Sequence, residues 1–256
     1  MGLIVPDRVY FGMTVRVYLR SPVAIAWTLI GGLAVGAVSA VGWLVATTLR
    51  ARAGVAGPLF LGGLGELLYL LVLFALFAAL AVVWLPFGAG VVHAVGRTVR
   101  GHPPSFRTSA TAVLDSLGSL TRWLKTRAAV PGVADRLLGA DDVAPSEVVS
   151  GCEPFVVPAL VLDAPDALEV AVERANRMTP EPGRERLSLG CLGATALAAG
   201  GAYLGGAVVV GPLAAAGAPL AAGLLVVGLV LTAALDAAWR AERYASQDLS
   251  EGFVRG

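Results

Sequence analysis

From Val23 to Leu49 the chain runs for 27 residues without a charged side chain, opened by Ser21-Pro22 and closed by Arg50 and Arg52. About 20 apolar residues suffice to cross the hydrocarbon core of a bilayer. The run therefore predicts a transmembrane helix with room to tilt. A cleavable signal fits less well, because its apolar region spans about 7–15 residues and lies nearer the terminus, whereas 22 residues precede this run. Those residues include Arg8, Arg16 and Arg20. They read as a short interfacial amphipathic segment, with Val9, Met13, Val17 and Leu19 inward and the arginines outward.

A second run extends from Pro58 to Val95, interrupted only by Glu66 and His93. At about 1.5 Å per residue it is nearly twice as long as a hydrocarbon core is thick. No turn is written in its middle, so it reads as one span, about 59–85, a kink at Pro86, and a helical extension to Arg97 at the interface. Two further runs, 187–210 and 220–239, are separated by the turn signals Gly211-Pro212 and Gly217-Ala-Pro219. Composition agrees: 14% of the residues are charged, against about 25% in soluble domains, too few for an ordinary water-facing surface. The expected fold class is all-α integral membrane, with four transmembrane helices plus cytoplasmic amphipathic interfacial helices. The regions are 1–96, 97–186 and 187–256.

Region 97–186 holds 23 of the 37 formal charges. Ser105 is placed to cap a helix after Pro103-Pro104. Phe106, Ala110, Val113, Leu114, Leu117, Leu120 and Leu124 then recur at helical spacing, opposite Arg107, Asp115, Ser119 and Arg122. Trp123 suits a membrane interface. Asp141 to Pro145 reads as an acidic loop. Residues 154–162 are apolar but too short to span, so they form either a re-entrant segment or a piece of core. Asp163 is read as the cap of a second amphipathic helix with Leu168, Ala171, Val172 and Ala175 on its apolar face, and Glu173 and Arg177 as an i,i+4 pair.

Thirteen arginines flank the span ends on one side, from Arg8 to Arg255, and only Arg50 and Arg52 on the other. The positive-inside rule then places both termini and the long loop in the cytoplasm of a multi-pass plasma-membrane protein. The net charge of +1 supplies no global field for nucleic acid.

Three ionisable residues stand out. Glu66 lies inside a span, where a charge costs about 2.5–3.5 kcal/mol on insertion scales, although Arg50 and Arg52 are expected on the same side to pair with it. Asp236, four residues before Arg240, suggests a salt-bridged helix end. His93 follows the Pro86 kink, where an imidazole can carry protons. Gly32/Gly36 and Gly201/Gly205 form GxxxG pairs, the spacing that lets membrane helices approach closely, read first as packing within the chain and second as a homo-oligomer contact. Cys152 and Cys191 are far apart without a metal-ligand pattern, so neither a metal nor another cofactor is expected. Catalytic motifs such as GxSxG and HExxH are absent from the sequence.

The segments Asp7–Ser21, Gly96–Arg107 (with Gly101-His-Pro-Pro104), Phe155–Leu162 and Ala167–Arg174 together resemble a group of prokaryotic polytopic membrane proteins. That group is loosely similar to the membrane domain of some glycerophosphodiester phosphodiesterases. The resemblance covers about 70 residues and implies a polytopic fold without the phosphodiesterase domain, so no catalytic residue is carried over. Arg122, Lys125, Arg127, Asp135 and Arg136 interrupt the region where such proteins have a further span. The leading expectation is a non-enzymatic membrane protein with a structural, assembly or partner-subunit role. Its partners are the lipid bilayer and a protein docking on 97–186. The alternative is a small transporter or channel with Glu66 and His93 near its path. A lipid-modifying enzyme working under 154–162 has no nucleophile or acid–base pair to support it.

Overall fold

A computed structural model of the protein describes residues 7–55, 61–128, 153–164, 167–178, 184–208 and 217–254. The elements among them are helical: α1 (Asp7–Arg20), α2 (Pro22–Val55), α3 (Leu61–Val99), α4 (Phe106–Ala128), a 3-10 turn (Glu153–Phe155), α5 (Val156–Leu162), α6 (Leu168–Asn176), α7 (Arg184–Val208) and α8 (Gly217–Val254). Among the described residues three helices are long and apolar enough to cross a membrane, at Pro22–Arg52, Leu67–Val99 and Pro219–Gln247. The fourth expected run falls on α7, whose apolar stretch Cys191–Gly205 is shorter. The predicted acidic loop 141–145, the Gly211-Pro212 turn and Cys152 lie outside the described residues. Gly217 and Pro219, expected in that turn, instead open α8, where a proline in the first turn forfeits no helical hydrogen bond.

The chain divides into two compact units. One contains residues 1–28, 86–191 and 231–256, the other 29–85 and 192–230. Each of α2, α3, α7 and α8 contributes a segment to both, and the division within α3 falls between Leu85 and Pro86. Proline has no N–H to bond the preceding turn, yet the helix continues past Pro86 to Val99.

The second unit turns large apolar side chains outward. Leu33 is 76% exposed, Phe74 75% and Leu197 80%. Such a surface is untenable in water and ordinary in lipid. Its helices meet where a side chain is missing. A Cβ at Gly42 would collide with Leu76, joining α2 to α3, and one at Gly228 with Thr195, joining α8 to α7. At Gly32 it would sit 3.4 Å from Val230, joining α2 to α8.

The first unit is centred on α5. This short helix is apolar all round, as a buried helix must be. Phe155, Val156, Ala159, Leu160 and Val161 are each at most 3% exposed. It packs on α4 and α6, while Phe155 meets Trp239 of α8 with ring centroids 6.0 Å apart. Helix α6 buries Leu168, Ala171, Val172 and Ala175, the face its spacing predicts, and Arg177 pairs with Glu173 at 2.6 Å.

Helix α1 presents a different face from that expected, and α4 departs from its expected face only in part. Among the described side chains of α1 the buried ones are Thr14 and Tyr18, while Met13 and Leu19 are exposed. In α4 Val113 and Leu120 are buried and Arg107, Asp115 and Arg122 exposed, as expected, but Ser109, Ser116 and Trp123 complete the buried stripe while Phe106 and Leu114 lie outside it. Trp123 is therefore core and not an interfacial anchor. The departures Thr14, Tyr18, Ser109 and Ser116 are hydrogen-bonding residues, which hydrophobicity does not rank.

Candidate functional site

The densest charged cluster among the described residues surrounds Asp163, and local signals in the chain set its parts in place. Helix α3 ends at Gly101, whose φ of +79° is a left-handed conformation that glycine adopts without penalty. The His102 N–H bonds the Arg97 carbonyl at 2.9 Å and the Gly101 N–H that of Thr98 at 3.1 Å, closing the helix in the usual glycine-terminated way. Pro103 and Pro104 prevent continuation. Ser105 then accepts the Thr108 N–H at 3.1 Å and caps α4, as expected. The outcome is that Arg100 stands at the end of α3 facing the end of α5.

There Arg100 reaches Asp163 Oδ1 at 3.0 Å. Asp163 Oδ2 receives Arg174 of α6 at 3.0 Å and the Tyr244 hydroxyl of α8 at 2.6 Å. The aspartate side chain is 17% exposed and that of Arg100 14%. Leu162 lies against Gly96, where any Cβ would strike it, so the bare backbone of α3 brings the two segments within reach. Asp163 thus does not cap α6. Ala167 holds that position without a side-chain bond. Ala164, directly after Asp163, has φ of 42°, a left-handed conformation costing a non-glycine residue about 1–2 kcal/mol. The surrounding contacts must supply that energy.

Two further buried polar contacts lie in the same unit. Thr14 of α1 donates to Glu242 of α8 at 2.5 Å, both nearly inaccessible. Trp27 donates its indole N–H to Ser109 of α4 at 2.9 Å and stacks on Phe106 at 4.9 Å. A Cβ at Gly90 would collide with that indole. No family model matches the chain, and no curated protein or solved structure matches it.

The residues singled out from the sequence are dispersed. The Glu66 side chain lies outside the described residues. His93 is 6% exposed, and its Nδ1 has no hydrogen-bond partner among the described residues. It shares the α3 face of Gly96 and Arg100 by helical spacing. Asp236 does pair with Arg240, but inside α8, which continues to Val254, and not at a helix end. Gly32 touches Val230, whereas a methyl added at Gly36, Gly201 or Gly205 would meet nothing within 4 Å.

An open recess of about 610 Å³ is lined by Thr47, Thr48, Ala51 and Arg52. Both threonine hydroxyls donate back to their own helix, to Trp43 and Leu44 carbonyls, so neither offers its proton to a ligand. Among the described residues no cluster of three or more His, Cys, Asp or Glu could hold a metal ion. Sequence reasoning noticed Asp163 but missed Arg100, Tyr244, Thr14 and Glu242. The one signal pointing that way was the Gly101-His-Pro-Pro104 stop, which strands Arg100 at a helix end.

Proposed function

We propose that this is a four-span plasma-membrane protein with both termini cytoplasmic, acting as a structural, assembly or partner subunit and not as an enzyme. The observation that carries the reading is how the first unit uses its polar side chains. Asp163 is taken up by three donors from three elements and Glu242 by Thr14. These contacts hold helices together. A group committed in this way serves architecture, whereas a catalytic base or nucleophile must face a substrate.

The fourth span rests on the packing of the second unit. There α7 approaches α8 at Thr195 and Gly228, beside segments of the three long apolar helices. Beyond Arg186 the helix is uncharged over 187–208, and at about 1.5 Å per residue that length is enough to cross a hydrocarbon core. Orientation rests on the arginine distribution, and the interfacial role of α1 and α4 on their mixed faces. The partner surface is the outward side of region 97–186, where Arg107, Thr111, Leu114, Asp115, Arg122 and Lys125 of α4 are exposed. A homo-oligomer through α7 and a distant kinship with the phosphodiesterase-associated membrane domains belong to the same proposal.

The test is native-nanodisc purification with identification of co-purifying proteins, together with flux assays in proteoliposomes. A stoichiometric partner lost when exposed α4 residues are changed supports the reading. Specific flux above that of protein-free liposomes, or turnover of lipid, overturns it.

A second reading, a small transporter with Glu66 and His93 near its path, draws on the buried His93 Nδ1 without a partner. In that case Glu66→Gln and His93→Gln each abolish flux, and undiminished flux in both removes the mechanism.

A further inference from the structure

The outward arc of α1 has a composition its inward arc does not share. At 100° per residue, Thr14, Tyr18 and Ser21 fall together on the buried side. Gly12, Met13, Arg16, Leu19 and Arg20 fall together on the other. Met13 is 49% exposed and Leu19 62%, and both arginines are exposed. A methyl added at Gly12 would meet nothing within 4 Å. The inward arc is fastened at two points, by Thr14 to Glu242 at 2.5 Å and by Tyr18 to Thr28 at 2.7 Å. The outward arc is thereby held in a set direction.

That arc is cationic without local compensation. From Arg8 to Gly65 the sequence contains no Asp or Glu, and among the described residues neither Arg16 nor Arg20 pairs with a carboxylate. The arc also lies beside a membrane boundary. Helix α1 ends at Arg20 and the first candidate span begins at Pro22, with Ser21 alone between them. The Ser21 N–H bonds the Tyr18 carbonyl and the Ser21 carbonyl accepts from Ala24 and Ile25, so the junction is a tight corner and not a tether. Arg16 and Arg20, one turn apart, are therefore carried at headgroup depth, with Met13 and Leu19 beside them to enter the acyl boundary.

We propose that this face of α1 is a binding surface for anionic phospholipid headgroups, with the two guanidinium groups on headgroup phosphates and the two apolar side chains between lipids. The occupant is the bilayer surface, chosen by charge complementarity and by continuity with the span. Each arginine near an anionic surface favours it over a zwitterionic one by about fivefold, with a strength that falls as salt screens it. The proposal rests on α2 being a span. Failure of the full-length chain to enter nanodiscs would strike that reading and leave a different signature from the outcomes below.

The experiment uses the full chain with Cys152→Ser, Cys191→Ser and Met13→Cys, in nanodiscs of phosphatidylcholine alone or of phosphatidylcholine with phosphatidylglycerol. The rate of maleimide labelling at position 13 is read. The expected result is several-fold slower labelling with phosphatidylglycerol, relieved by high salt and absent in the Arg16→Gln/Arg20→Gln variant. Hydrogen exchange over 239–247 in that variant, unchanged, shows that α1 is still fastened to α8. Equal labelling in both lipids, or an undiminished lipid effect in the double variant, overturns the proposal. Protection that appears in phosphatidylcholine alone with a cross-linkable dimer overturns it in favour of a second copy. Protection reproduced there by inorganic phosphate overturns it in favour of a free-anion site.

Discussion

The hydroxyl of Tyr244 donates to Asp163 at 2.6 Å across 81 positions of sequence, and Arg100 and Arg174 grip the same carboxylate from two other elements. This shared acceptor joins the end of α3, the turn between α5 and α6, and α8 within one unit. A hydrogen bond to a charged group is worth about 1.5–3 kcal/mol. Tyr244→Phe is expected to cost about 1.5 kcal/mol. Asp163→Asn should cost about 3 kcal/mol, since it leaves two half-buried guanidinium groups without their counter-charge. Unfolding in detergent followed by near-ultraviolet circular dichroism checks both. The double variant should lose less than the sum, as residues in direct contact couple. Additive losses would mean that the contact is not made.

Glycine positions should separate sharply. Gly90→Ala drives a methyl into the Trp27 indole, which the Ser109 bond and the Phe106 stack hold in place. Overpacking of this kind costs about 1–3 kcal/mol. Gly201→Ala meets open space and should leave the unfolding midpoint of the monomer unchanged or slightly raised, because alanine is the better helix former. The same unfolding measurement on both variants tests the pair, and equal losses would contradict the packing described.

Thr14→Val removes the donor that Glu242 uses. A buried carboxylate without its partner costs about 1–3 kcal/mol, and the consequence should be local. Hydrogen exchange over residues 12–20 is expected to rise by an order of magnitude or more, a ratio of about 1.4 kcal/mol per tenfold, while that over 156–176 stays protected. Thr14→Ser, which restores a hydroxyl, should recover most of the protection.

Tyr18 supplies a pH dependence. Burial pushes its phenol above the ordinary value of 10.0, opposed by its hydrogen bond to Thr28. The folded state therefore holds this proton more tightly than the unfolded state. The associated stability is fully present below about pH 10 and is lost as pH rises through the folded value. Wild type should lose stability more steeply above pH 10 than Tyr18→Phe. Unfolding midpoints across that range, with phenolate absorbance as the titration readout, decide it. Parallel curves would refute the burial argument.

Much of the architecture was legible because it depends on neighbours in sequence. The Ser105 cap, the buried face of α6 and the Glu173–Arg177 pair each follow from spacing within a turn or two. The face of α1 and part of that of α4 were not legible for one shared reason. Hydrophobic pattern does not rank a polar side chain that finds its hydrogen-bond partner inside, or a small one that permits close approach. Thr14, Tyr18, Ser109 and Ser116 are inside because partners or close approach await them there. The GxxxG pairs failed to locate most of the close contacts for a related reason. Glycine is abundant here, and only the crossing of two helices selects Gly42, Gly90, Gly96 and Gly228 as the points where a Cβ would collide.

The sequence by itself indicated that this chain is a helical membrane protein, located the three runs that form its long apolar helices together with a fourth on α7, and set where α4 starts. These are sums over contiguous residues, and hydropathy, capping and helical period are all local quantities. Only the tertiary structure decided that Asp163 belongs to Arg100, Arg174 and Tyr244, that Glu242 belongs to Thr14, and that α1 turns its arginines outward. Each of those choices is a pairing across the chain. Its energy depends on distance and desolvation in space, and no local sum contains either.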